Sequence, residues 1–208
     1  MSRHVLPAFF VTAFLAATGP TAPSEAERAL LAAMARGVLC RLGDRPPNPE
    51  NPAERIRAAL LQHLITGRSE AAPVTPTGVR LKGALIEGPL PLNFATATGE
   101  TDLRVCHFTD PLQARRAEVV QLVLSGRHLP GLLAKGLVVA GPVFLIGVTV
   151  TRRISLATAT IGGQLALIGA QTGPLTARRR AQIGASVHLR AAEGQGFAAM
   201  GEISFGGA

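Results

Sequence analysis

Between Ile86 and Phe205 one short phrase returns about every eleven residues, and no other feature limits the possible folds as tightly. It reads β-branched, any, small, any, aliphatic, any, aliphatic. Ile86–Leu92, Val139–Leu145, Val150–Leu156, Ile161–Leu167 and Ile183–Leu189 are its clearest copies. Marking the small residue of each copy gives positions 88, 99, 110, 120, 130, 141, 152, 163, 174, 185 and 201, in steps of 10 or 11 until a final step of 16. Marks 110, 120, 130 and 174 are degenerate. Two and four residues past a mark the side chains are mostly aliphatic, as in Leu90/Leu92, Val143/Leu145 and Leu165/Leu167, and the residue between them is mixed. That alternation is the period of a strand with one buried face.

Strands of only a few residues, with no helix between them, do not fit a βαβ arrangement. They fit a solenoid, in which each short unit buries its apolar face by stacking on the next. The chain is therefore expected to be mainly β: a right-handed parallel β-helix of about five coils, each of about 22 residues (two phrases) and rising one strand spacing of ~4.8 Å. Gly, Ala and Thr around the marks suit tight corners. The expected organisation is an apolar segment over 1–23, a helical hairpin cap over 24–68, a linker over 69–77 and repeats over 78–208. An open last coil exposes a strand edge, so the repeats are expected to self-associate there or to belong to a truncated frame.

The cap is read from two helix signals. Ser24 followed by Glu27 is a capping box, and Leu30, Leu31, Met34, Val38 and Leu42 continue at helical spacing to a terminating Gly43. After the Pro-rich connection 44–50, Asn51 and Pro52 open a second helix whose buried stripe is Ile56, Leu60, Leu61, Leu64 and Ile65. His63 lies beside that stripe, as part-solvated surface. Ahead of the cap, Val5–Ala17 is an apolar run behind Arg3. It has the outline of a secretory signal, with Pro7 and the lack of a clean A-x-A site against it, and it is shorter than the ~20 apolar residues that span a bilayer. A packing N-terminus is the expectation and envelope targeting the alternative. The sequence leaves the location open, with a cytoplasmic or membrane-peripheral place the expectation and an envelope or secreted one the alternative if residues 1–22 are a signal.

With no Trp, no Tyr and 8 Phe, the core must be Leu, Ile, Val and Ala. The net charge of +8 rests on 19 Arg and 2 Lys, which favours anionic partners without naming one. Few aromatics leave few stacking platforms, so no specific nucleic acid is expected. Cys40 and Cys106 form no C-x-x-C, exclude a four-Cys metal or iron–sulfur site, and are expected as small buried hydrophobes.

Gly78–Leu92 and Ala159–Ala170 resemble the repeats of bacterial β-helical proteins often labelled membrane-associated oxidoreductases, as 29–44 resembles that family's N-terminal region. Likeness to pentapeptide-repeat and bactofilin-like solenoids is weaker. The resemblance implies a β-helix with an N-terminal helical cap and supplies no catalytic residue. The oxidoreductase label has no motif behind it: the sequence holds no dinucleotide fingerprint, no P-loop and no redox Cys pair, so no cofactor is expected.

Arg115, Arg116, Lys135, Arg178, Arg179 and Arg180 all fall four to six residues after alternate marks, which should align them along one corner as an anion- or partner-binding stripe. Arg152 and Arg153 should occupy a different corner. Asp102 and His188 are expected at outward positions four coils apart, too far to cooperate, while His107 and Asp110 could meet at a turn. No catalytic set and no metal site assembles on this reading. The expected function is a non-catalytic scaffold. The alternatives are a membrane-surface protein using the Arg stripe, or an enzyme with a groove on the solenoid.

Overall fold

Each eleven-residue phrase is half a coil, because the solenoid has four sides. The computed structural model describes residues 22–68, 77–177, 180–192 and 194–204, the side chain of Arg127 excepted. Side A stacks Cys40–Arg41, Val79–Lys82, Thr101–Arg104, Leu122–Val123, Val143–Phe144, Leu165–Ala166 and Val187–His188. Side B stacks Arg55–Arg57, Leu85–Glu87, His107–Phe108, Arg127–Leu129, Val148–Val150, Gln171–Thr172 and Ala198–Ala199. Side C runs from Leu90–Pro91 through Leu112–Gln113, Leu132–Leu133, Ile154–Ser155 and Leu175–Thr176 to Ile203–Ser204. Side D holds Glu118–Val119, Val138–Val139, Thr160–Ile161 and Gln182–Ile183, with Thr96 bridging to Glu118. The strand pairs are all parallel. Strands on side A begin at Val79, Thr101, Leu122, Val143, Leu165 and Val187, so a coil takes 21 or 22 residues.

The chain visits A, B, C and D in turn, and successive marks fall alternately before sides C and A. The β-branched residue that opens a phrase lies on the preceding side, B or D, and from Val139 onward it ends that strand. Two opposite corners share one backbone device, which is why half a coil looks like a repeat. Val105, Gly126, Gly147 and Gly169 turn from A to B with φ between 53° and 68°, and Phe94, Arg116, Gly136, Thr158 and Arg180 turn from C to D with φ between 50° and 71°. At the B–C corner the need is space: a Cβ on Gly173 would run into the carbonyl oxygen of Arg152 on the neighbouring rung.

Inside, the aliphatic pairs stack in columns, Leu122 on Val143 on Leu165 and Leu112 on Leu132 on Ile154, all fully buried. Thr101 interrupts the side-A column and Thr172 the column of Val150 on side B, each burying a hydroxyl with no hydrogen-bond partner among the described residues. At the last coil Val187 takes an equivalent place on side A yet is 39% exposed, while Leu165 one rung earlier is 0% exposed. The final step of 16 in the sequence is an excursion between His188 and Ala198 in which Ala192 and Gln195 bridge each other.

The cap departs from a plain helical hairpin. Helix α1 is Glu25–Ala35, with the Ser24/Glu27 capping box formed as expected, but it stops seven residues short of Leu42. Gly37, at φ 65°, closes a Schellman turn in which its N–H bonds Met34 and the Val38 N–H bonds Ala33. Val38 is exposed, and Cys40–Arg41 joins side A as its edge strand. The second helix also starts late. Asn51 caps a single 3-10 turn at Pro52–Glu54; Arg55–Arg57 then runs extended, pairing Ile56 with Ile86 on side B; helix α2 is only Ala58–Ile65. Pairing with side B outweighs helical periodicity there, because Ile56 is buried either way and the ladder bonds would otherwise be lost. The cap is thus an unfinished coil, with strands on sides A and B and α2 packed against Leu90–Pro91 in the place of a side-C strand. His63 is half-buried at the edge of that helix. The expected segment 1–23, except its last two residues, and the linker 69–77, except Thr77, lie outside the described residues.

One carboxylate ties the cap together. Glu27 is 1% exposed, accepts the Ser24 N–H, and receives Arg57 through its backbone N–H at 3.1 Å and two guanidinium bonds of 2.7 Å. Burial pushes its pKa up, but the bonds from Arg57 and Ser24 outweigh this and hold it below the usual carboxylate value.

Candidate functional site

The stripe expected from the sequence has a structural address, the corner between sides C and D. Arg115 and Arg116 occupy it in one coil and Lys135 in the next, where the Arg116 N–H bonds the Lys135 carbonyl oxygen. Gly136 then bonds Ala157, and Arg180 holds the same left-handed position one coil beyond Thr158. Arg115, Arg116, Lys135 and Arg180 are all exposed. Arg178 and Arg179 lie outside the described residues. Arg115, Arg116 and Lys135 have no ion pair among the described residues, whereas Arg41, Arg55, Arg57, Arg80, Lys82 and Arg104, in the cap and first coils, each face a carboxylate. Past residue 104 the sequence has ten cations against four carboxylates, so six of the eight excess positive charges sit there. Side-chain length lets Arg116 lie across the next rung, its Cγ just 3.2 Å from where a Cβ on Gly136 would stand.

A fifth residue of this corner was not singled out in the sequence. Phe94 is 67% exposed at φ 57°, and its N–H bonds the Arg115 carbonyl oxygen, so it heads the column that Arg116 continues. The signal was present. Phe94 stands six residues after mark 88, the offset of Arg116 after 110 and Arg180 after 174. A search for charge alone passes over it. Arg152 and Arg153 are exposed at the B–C corner, apart from the stripe, as expected.

A second arrangement lies diagonally opposite. His107 and His128, paired on neighbouring rungs of side B, bring their rings to 4.7 Å centroid separation. They line an open groove of about 510 Å³ along the A–B corner with Asp44, Gly126, Gly147, Thr149 and Gln195. Burial, and then the charge of His128, depress the His107 pKa. Neither imidazole hydrogen-bonds a carboxylate among the described residues, and Asp44 is engaged by Lys82 and Arg41. Asp110 turns to the Thr109 hydroxyl at 2.8 Å instead of meeting His107. Among the described residues no group of three or more His, Cys, Asp or Glu could hold a metal ion. A catalytic His is ordinarily oriented by such a carboxylate hydrogen bond.

Asp102 and His188 do share one outward column of side A, four strands apart, and do not meet. Asp102 is nevertheless buried, bonded twice at 2.7 Å by Arg104 with Arg80 nearby. Both cysteines are buried free thiols, pushed by burial to about 11 for Cys40 and about 12 for Cys106, so neither offers a thiolate at neutral pH. No helix among the described residues is long and apolar enough to cross a membrane. Comparisons with protein-family models, with curated proteins and with solved structures found no match.

Proposed function

We propose that the chain is a non-catalytic interaction scaffold that holds an acidic, extended segment of a partner protein along the C–D corner. One observation carries the reading: Arg115, Arg116 and Lys135 stand exposed on adjacent rungs without a carboxylate partner among the described residues. From the Arg116 rung to the Arg180 rung is three strand spacings, about 14 Å, which matches two same-face steps of an extended peptide, also about 14 Å. Phe94 adds an apolar anchor at one end of the row. The resemblance to β-helical repeat proteins supports the scaffold and adds no reaction. The groove at His107 and His128 is where an enzymatic reading would reside, and among the described residues no carboxylate hydrogen-bonds either ring.

Binding of a fluorescent poly-Glu peptide tests the proposal. The triple change Arg115→Ser, Arg116→Ser, Lys135→Ser should weaken it by about tenfold or more at low salt, with the wild-type affinity itself falling as salt rises. Equal binding by the triple variant would refute the corner as the docking site. Binding to anionic vesicles, in preference to the peptide and lost in the same variant, would assign the corner to a membrane surface instead.

A further inference from the structure

Two of the four described histidines stand one above the other, and the fold holds them there. His107 and His128 are in-register partners on adjacent rungs of side B, in an outward column that runs Leu85, His107, His128, Thr149 and Gln171. The His107 N–H bonds the Ala84 carbonyl oxygen at 2.9 Å, and His128 is the middle residue of a strand paired on both sides. Both side chains therefore leave a hydrogen-bonded ladder, a more rigid base than a loop, and both are half-buried. Among the described residues no hydrogen bond or ion pair engages either ring, which leaves the ring nitrogens uncommitted. In the sequence the pair is separated by 21 residues, a spacing that belongs to no local metal motif; only the length of the coil brings the two together.

Space is kept beside them. The groove of about 510 Å³ follows the A–B corner, where Gly126 and Gly147 turn the chain at φ 68° and 64°. Gln195 reaches this corner from the excursion, its Oε1 lying 3.7 Å from where a Cβ on Gly147 would stand. Asp44 is the one carboxylate among the lining residues, and Thr149 adds a hydroxyl. The separation of the rings also suits a shared ion. With a metal–nitrogen bond of about 2.0–2.1 Å, each ring centroid sits about 3.2 Å from the ion, and two rings at roughly 90–109° around it lie about 4.5–5.2 Å apart. The observed separation is 4.7 Å. The planes are tilted by 35°, so this is not a flat stack whose lone pairs would run side by side.

We propose that His107 and His128 bind a divalent transition-metal ion of the zinc type across two rungs, with water and the oxygen donors of the groove completing its shell. Imidazole is a ligand that zinc, copper and nickel share, and two of them make an open site, where a closed structural site takes four protein ligands. The site lies diagonally opposite the basic C–D corner and does not depend on the partner docked there.

Zinc titration of the untagged full chain at pH 7.5 tests the assignment. One equivalent should bind, and His107→Ala and His128→Ala should each weaken binding by about tenfold or more, since either change removes half of the nitrogen donors. Changing His4, His63 and His188 together to Ala should leave the affinity within about twofold, because none of them neighbours the pair. The absence of a bound equivalent would overturn the proposal, as would undiminished binding in either single variant or its loss in the triple variant. Diethyl pyrocarbonate gives a readout on the unaltered protein, with no variant that must fold. It acylates free imidazoles, so zinc should slow modification of His107 and His128, located by mass spectrometry, by about tenfold and leave His188 unaffected. Equal rates at His107 and His128 with and without zinc would refute the site.

Discussion

The cap and the coils that follow it are built on the same two sheets and held by opposite means. In the coils, Leu122, Val143 and Leu165 repeat one aliphatic contact rung after rung, so stability is spread along the axis and any interior position resembles the next. The cap concentrates its organisation on Glu27, which closes α1 at its start and receives Arg57 where α2 begins. A repeat tolerates approximation because its neighbours share the load. A knot of this kind is lost when one atom is removed.

The sharpest break should come inside the coils, where a deletion opens a cavity between rungs that cannot collapse. Leu145→Ala, at a fully buried position, is expected to cost about 3–4 kcal/mol, measured as a lowered denaturation midpoint. Gly173→Ala should cost about 3 kcal/mol, because the added methyl meets the Arg152 backbone instead of a movable side chain. In the cap, Glu27→Gln should cost about 2–3 kcal/mol by removing the buried charge that the Arg57 guanidinium meets at 2.7 Å. Its pH dependence separates it from the coil variants. The Glu27 pKa is depressed in the fold, so its contribution is complete above the unfolded value near 4.5 and is lost as pH falls through the folded pKa. Wild type should therefore lose its advantage over Glu27→Gln in acid titrations below pH 4.5, while Leu145→Ala keeps a constant offset.

Two smaller changes sharpen the contrast by raising stability. Arg116→Gly relieves a left-handed backbone position, so the fold should gain about 1 kcal/mol while the poly-Glu affinity drops, separating function from fold at one residue. Thr101→Val replaces a buried hydroxyl without a partner and should stabilise by about 1 kcal/mol. A loss of stability there would mean the hydroxyl has a bonded partner in solution.

The coil was legible in the sequence because its cause is local. An aliphatic pair two residues apart can be buried in a strand wherever it stands, and repetition at a fixed step announces that copies stack. The alignment of Arg115, Arg116, Lys135 and Arg180 followed by counting alone, since equal offsets in a periodic chain mean equal places on its surface. Helix ends were legible only where a local device was read: Ser24 and Glu27 marked one correctly, while Gly37, the true end of α1, was passed over in favour of Gly43.

What the sequence by itself determined, then, is the eleven-residue step, the interior aliphatic columns and the basic corner. Only the tertiary structure decided that the step is half of a four-sided coil, that Ile56 joins a ladder instead of a helix, and that Glu27 meets Arg57 thirty residues away. It alone set His107 against His128 and buried Asp102, Val123 and Ala166 at outward positions of side A. The physical reason is the same in each case. Periodicity fixes which way a side chain points, but what it points at depends on a neighbouring rung or a distant segment, and no local spacing encodes that.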